Sequence, residues 1–316
     1  ARENSFKSDF TLTTPTPKIL GKRLLKDFPL AKLIETIDWS PFFRSWDLAG
    51  TFPDILDDKI VGNQARSLFK DGKELMDKIV NRKLLTANGL FGLYPARKTD
   101  FEDITFFRDE NLNTELFTWC GLRQQSKKLR NEKNKCLADF VSPISLSRKD
   151  YLGIFFVTID GAKTLSEQFE KDGDDYSAIM VKALADRFVE SFAEYLHLLI
   201  RKEFWGYSFS ENLTTDQLIN EDYQGIRPAP GYPACPDHSI KKKLANIFSV
   251  EDIGITLTEN LAMNPASSIC GFYFWHPEAS YFNVGEIGTD QFTNYKERQN
   301  LSLESARSNL LSVHKS

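Results

Sequence analysis

The sequence lacks the patterns that announce most cofactor and catalytic sites. None of its four cysteines forms a CxxC pair, and none has a histidine at metal-ligand spacing. Cys120, Cys136, Cys235 and Cys270 therefore read as free thiols of a reducing compartment, not as zinc ligands or disulfide partners. No GxGxxG follows a strand, and there is no P-loop, HExxH or GxSxG elbow, so a Rossmann nucleotide site, a zincin and a serine hydrolase are set aside. No Cys–His pair suggests a nucleophile. The net charge is −4, with no basic excess to neutralise a phosphate backbone, which argues against nucleic acid as a partner. No apolar run approaches the ~20 residues that span a bilayer, and no signal peptide is visible, so no membrane role is expected. Internal repeats and low-complexity tracts are absent. The first residue is Ala1, not Met, which suggests a piece of a longer polypeptide or a processed chain.

What is present is an ordinary globular composition. Hydrophobic residues make up 41% and charged residues 27% of 316 residues, enough for one large domain or two small ones. Aromatic residues reach 13%, with 25 Phe, so rings are available both for a core and for stacking on a ligand. Residues 1–18 are polar and end in Thr14-Pro15-Thr16-Pro17, a linker or extended arm ahead of a compact unit from 19 to 316. A first helical element is expected from Leu30 to Ile37. A second carries Leu68, Leu75, Met76 and Ile79 and ends at Asn88-Gly89. Strands are expected at 90–94, 104–107, 151–159, 268–274 and 281–287. A long helix follows Asp172-Gly173-Asp174, with an apolar stripe of Tyr176, Met180, Leu184, Phe188, Phe192 and Leu196. Thr214 with Gln217 forms a capping box, and Ser302 caps a late helix. Strands and helices do not alternate strictly, which points to α+β.

The oddest segment is Gly225 to Pro236, in which four prolines rule out a helix or a central strand. Proline lowers the entropy cost of holding an irregular backbone in one shape, and Gly231 permits close approach or a positive φ. Arg227 offers a planar fork matched to a carboxylate, and Tyr232 a ring or a hydroxyl. Together they suit an amino-acid-like ligand with an aromatic part. They equally suit a rigid surface loop with an ordinary salt bridge. Glu190 lies about 200° round the long helix from Phe188, on the side shared by Asp186 and His197. It reads as solvated face or as site residue. Asp38, between Ile37 and Trp39, reads as a helix cap or a site acid. Tyr281 and Phe282, adjacent on an expected strand, should point to opposite faces. His276 reads as structural, His197 as surface or capping, and His238 and His314 as exposed.

Several stretches together resemble the C-terminal activation domain of vitamin-B12-dependent methionine synthase. They are Ile37 to Phe43 (IDWSPFF), Ala65 to Asp71 (ARSLFKD), Leu137 to Val141 (LADFV), Asp174 to Tyr195, Trp205-Gly206-Tyr207, and Tyr223 to Pro236 (YQGIRPAPGYPACP). The resemblance runs from about Leu33 to the last helices. It implies a single curved α+β domain with a central, largely antiparallel sheet flanked by helices. It also implies S-adenosylmethionine bound by Asp38, Glu190, Arg227, Ala229, Gly231, Tyr232, Tyr281 and Phe282, the last standing where some members have tyrosine. Arg227 would hold the ligand carboxylate, Asp38 its α-amino group, and Glu190 the ribose or sulfonium side. No catalytic residue and no metal ligand is expected in this chain. The DxHxxG lower-ligand motif for cobalamin is absent, so the cofactor would come from a cobalamin-binding domain of the same polypeptide, with an electron from a flavodoxin-like or flavoprotein reductase. The function implied is reductive remethylation of inactive cobalamin in a cytoplasmic methyltransferase, without turnover by the isolated chain. The alternative is a docking module for the reductase and cobalamin domain with a vestigial ligand site.

Overall fold

In the computed structural model the described residues are 1–99, 102–129 and 131–314. Eight strands and eight α-helices are found among them. The strands are β1 (Gly21–Phe28), β2 (Thr86–Lys98), β3 (Asp103–Phe107), β4 (Glu115–Cys120), β5 (Tyr151–Asp160), β6 (Thr256–Leu257), β7 (Met263–Asn264) and β8 (Ser268–Tyr273). The helices are α1 (Ser40–Arg44), α2 (Gly62–Arg82), α3 (Ala162–Lys171), α4 (Asp175–Leu199), α5 (Thr215–Ile219), α6 (Ile240–Phe248), α7 (Thr289–Arg298) and α8 (Leu303–Asn309). Six strands form one sheet in the order β4-β3-β2-β5-β8, with β1 on the β3 edge of β2. Every pairing is antiparallel, as expected for the α+β class.

The long β2 is the spine. Its first part pairs with β1 and β5, and its last residues pair with β3. Both faces of β5 are buried, and its alternate residues divide between two cores. Phe155, Val157 and Ile159 join α2 and α4, whereas Leu152, Ile154 and Phe156 join β3, β4 and α6. The α4 stripe packs as its spacing predicts: Met180, Leu184, Phe188, Phe192 and Leu196 are buried. Tyr176, its first member, is instead 42% exposed and donates to Asp71. Asp174 caps the helix by accepting from the Ser177 N–H at 2.9 Å. At its far end α4 runs into a π-helical turn, Ile200–Phe204.

Local structure departs from the sequence reading in several places, among them the strand β4 at Glu115–Cys120, which that reading lacks. Residues 30–36 form two 3₁₀ turns, Leu30–Lys32 and Ile34–Thr36, not an α-helix, and the Thr36 hydroxyl bonds back to the Leu33 carbonyl. Helix α2 ends earlier, at Lys83 with φ +52°, and Asn88-Gly89 lies inside β2, where the Asn88 side chain accepts from the Asp27 N–H. β1 has no counterpart in the sequence reading. Its Lys22, Arg23, Lys26 and Asp27 are the charges that protect a sheet edge, and they mask its period. Residues 281–287 are irregular: Val284 N–H bonds to the Pro233 carbonyl, and Gly285 takes φ +69°. Residues 1–18 run along the surface, tied by Phe6 N–H to the Asn134 carbonyl at 3.1 Å and by Trp205 Nε1 to the Pro15 carbonyl at 2.7 Å.

Candidate functional site

A cavity of about 470 Å³ opens between α4, the proline-rich loop and residues 281–282. That volume suits a nucleoside-sized ligand. The loop is held from both sides. Ile226 and Phe274 exchange backbone hydrogen bonds at 3.0 and 2.9 Å, and Phe272 N–H reaches the Pro228 carbonyl at 2.9 Å. Opposite, the Pro233 carbonyl accepts from Val284 N–H at 2.9 Å. Four prolines offer no backbone donor, so the neighbouring segments bond chiefly to the loop's carbonyls, which fixes it without making it a strand. Gly231 closes the turn at φ +93°. A Cβ there would lie 2.0 Å from the His238 ring, so no larger residue fits without movement.

Six of the sequence-predicted site residues line this cavity: Glu190, Arg227, Ala229, Tyr232, Tyr281 and Phe282. Gly231 shapes the loop from within it. Tyr281 and Phe282 do not diverge as a strand would require, and both face the cavity because the segment is irregular. The Tyr281 hydroxyl accepts from the Arg227 backbone N–H at 3.0 Å; the residue is 45% exposed, but desolvation at its hydroxyl end pushes its pKa up to about 12. Tyr232 is 63% exposed at the mouth. Asp38 stands apart from the lining. One of its oxygens accepts from Ser40 N–H at 2.9 Å, a turn just ahead of α1, whose N-cap is Trp39 and not Asp38, and its charge reaches Glu190.

The electrostatics are those of a site for a zwitterion carrying extra positive charge. Glu190 is open to solvent but sits in a concave, largely apolar wall. This desolvation raises its pKa, and Asp186 and Asp38 add to the rise against Arg187 and Arg227. Glu221, which no sequence pattern singled out, lines the same cavity, and desolvation likewise raises its pKa. Burial alone would lower the Arg227 pKa, but Glu194, with Tyr223, Tyr281 and Glu221, holds it above the usual value. Arg227 Nη1 is 2.6 Å from Glu194 Oε2, while Nη2 lies 3.4 Å from Glu221, and 18% of the side chain stays exposed.

Beneath Arg227 lies a buried polar layer that the sequence did not disclose. Tyr223 Oη accepts from Arg227 Nη1 and donates to Glu194 Oε2 at 2.9 Å. The Arg201 guanidinium stacks on the Tyr223 ring at 3.6 Å and grips Glu211 at 2.9–3.1 Å. His197, expected at the surface or as a cap, is fully buried, stacked on Tyr273 with ring centroids 4.9 Å apart. Burial and the nearby Arg201 and Arg227 drive its pKa well down, so it is neutral near pH 7. Glu194 follows Glu190 by one helical turn, the one periodic clue to its place beside the site. Glu221 had no such clue: it occupies φ +57° after α5, outside any repeat. Among the described residues no cluster of His, Cys, Asp and Glu is arranged to hold a metal ion, and no helix is long and apolar enough to cross a membrane.

Comparison with known proteins agrees with this geometry. The family model described as vitamin B12 dependent methionine synthase, activation domain, matches residues 29–300. A crystal structure of the MetH reactivation domain bound to AdoHcy superposes with a TM-score of 0.96 at 42% identity. That match covers 100% of this chain and 97% of the other. The chain thus belongs to the family of activation domains of vitamin B12-dependent methionine synthases.

Proposed function

We propose that the cavity binds S-adenosylmethionine and presents its methyl group to cobalamin carried by a partner domain of the same polypeptide. The observation that carries this reading is the cavity's charge arrangement: one accessible arginine edge beside two desolvated carboxylates, under aromatic rings. S-adenosylmethionine has the matching groups in one molecule: a carboxylate, an ammonium, a sulfonium and a purine. The similar MetH domain holds AdoHcy, which shares that skeleton without the methyl group.

Arg227 takes the carboxylate through the edge that now faces Glu221. Glu190 and Glu221, with Asp38 behind, supply the negative field for the ammonium and sulfonium. The assignment of the α-amino group thereby shifts from Asp38 alone to this group of acids. Tyr232, Tyr281 and Phe282 provide flat surfaces for the purine, and the Ala229–Gly231 backbone lets the ligand approach closely. No general base is needed, because a sulfonium is itself a good leaving group; positioning and field are the chain's contribution. Cobalamin bound by its own domain would supply the nucleophile for the methyl group, with an electron from a flavodoxin-like or flavoprotein reductase. The unit runs from residue 19 to 316 behind an arm of residues 1–18, in a cytoplasmic enzyme, and the isolated chain does not turn over.

An intact, charge-matched cavity weighs against a docking module with a vestigial site. Titration calorimetry decides between the two. We expect saturable heat with S-adenosylmethionine; a folded chain giving none at millimolar ligand would overturn the reading.

A further inference from the structure

We propose that Glu194 is a positioning residue for Arg227, holding one guanidinium edge toward the cavity and so setting the preference for a ligand that bears a carboxylate. The inference rests on the reading of the cavity as an S-adenosylmethionine site.

Glu194 is 6% exposed and lies under the cavity floor, whereas Glu190 on the same helix face reaches the cavity itself. Its Oε2 is 2.6 Å from Arg227 Nη1 and accepts from Tyr223 Oη at 2.9 Å. Its Oε1 is 3.7 Å from Arg201 Nη1. Arg201 is itself held by Glu211 through Nε and Nη2 and by its stacking on Tyr223, so its Nη1 backs Oε1 at the longer distance while Oε2 stays with Arg227. Glu194 is therefore a carboxylate braced from behind, and it fixes Nη1 of Arg227 while Nη2 stays toward the open side.

The other acid paired with Arg227 among the described residues is Glu221, whose side chain is 36% exposed at 3.4 Å. Removing the charge of Glu194 leaves the guanidinium to Glu221. Both edges of the fork are then drawn to the rim, and none is presented to an incoming carboxylate. A ligand that differs only in lacking its carboxylate makes no use of that edge and should not register the change.

The probes are S-adenosylmethionine and its decarboxylated analogue, which keeps the ammonium, sulfonium and purine. Dissociation constants for both are measured by calorimetry on the unaltered chain, Glu194→Gln and Tyr223→Phe, each with a melting curve. The unaltered chain should prefer S-adenosylmethionine. That preference should fall about tenfold in Glu194→Gln, the scale of one charge-assisted hydrogen bond, and a few-fold in Tyr223→Phe. A purely structural role would lower the melting temperature and leave the ratio of the two constants untouched, which overturns the proposal. If Glu194→Gln does not fold, an unchanged ratio in Tyr223→Phe overturns it equally. An unaltered chain that binds neither probe overturns the site reading and this proposal with it, whereas binding of both with the ratio preserved in the variants overturns this proposal alone.

Discussion

Two arginines, the buried Arg123 and the partly exposed Arg227, each sit between two carboxylates, yet they differ in how fully they are bonded. Arg123 borders a second cavity, of about 440 Å³, but has a partner for each guanidinium nitrogen. Its Nε bonds Glu102 at 3.0 Å, Nη1 bonds Asp139 at 2.6 Å and the Asn134 carbonyl at 2.9 Å, and Nη2 bonds Asp139 at 2.7 Å. Those acids are themselves satisfied, Asp139 by Lys98 and the Cys136 N–H, and Glu102 by Arg2. Around Arg227 the bonding is incomplete: among the described residues Glu194 Oε1, Arg201 Nη1, His197 Nδ1 and Tyr273 Oη find no hydrogen-bond partner, and Nη2 of Arg227 meets the looser Glu221 contact. A guanidinium bonded at every nitrogen is committed to holding the fold together. One that keeps a charged edge toward a cavity has bonding capacity left for a ligand.

The largest expected difference is in stability. Arg123→Met leaves Glu102 and Asp139 buried without their main partner and should cost about 3–5 kcal/mol. Thermal and denaturant unfolding would show this, with ligand affinity per folded molecule unchanged. Arg227→Ala should show the reverse. Loss of a bidentate charge-assisted contact lowers S-adenosylmethionine affinity by about one to two decades. The fall in melting temperature should be smaller than for Arg123→Met, since Glu194 keeps Tyr223. Arg227→Lys should lose affinity as well, because an ammonium lacks the planar fork. Equal melting losses with unchanged affinity would erase the distinction between the two networks.

Reading the fold from sequence succeeded where burial is periodic. The α4 stripe is set by which residues must leave water and is plain in the residue order, whereas β5, buried on both faces, reads as a strand from its aromatic and β-branched content. It failed where tertiary contacts decide. β1 is polar because it is an edge, and residues 281–287 look like a strand until the proline-rich loop engages them through Val284. For the site, the loop's composition and the family resemblance led to Arg227, Ala229, Tyr232 and Glu190. Glu221 and Glu194 acquire meaning only once α4 and the loop are brought face to face. His197 was misplaced because a helical position says nothing about the aromatic neighbours, Tyr223 and Tyr273, that bury it.

The smallest effect concerns pH. Glu190 has a raised pKa in the free protein, and a cationic ligand favours its ionised form. Protonating Glu190 therefore removes attraction, so S-adenosylmethionine affinity should fall as pH drops through that raised pKa and level off above it. Isotherms across this range would show the dependence, and Glu190→Gln should flatten it at a cost of about a few-fold in affinity at neutral pH, the size of one partly solvated charge contact. A pH profile identical in the variant would remove Glu190 from the ligand's positive end.

A crystal structure of the chain with S-adenosylmethionine tests the open-edge assignment most directly. The expected result is a ligand carboxylate within hydrogen-bond distance of Arg227 Nη2 in the place of the Glu221 contact, with the Arg227–Glu194 pair at 2.6 Å retained. A ligand lodged elsewhere, or one bound in the cavity while Arg227 still faces Glu221, would contradict it.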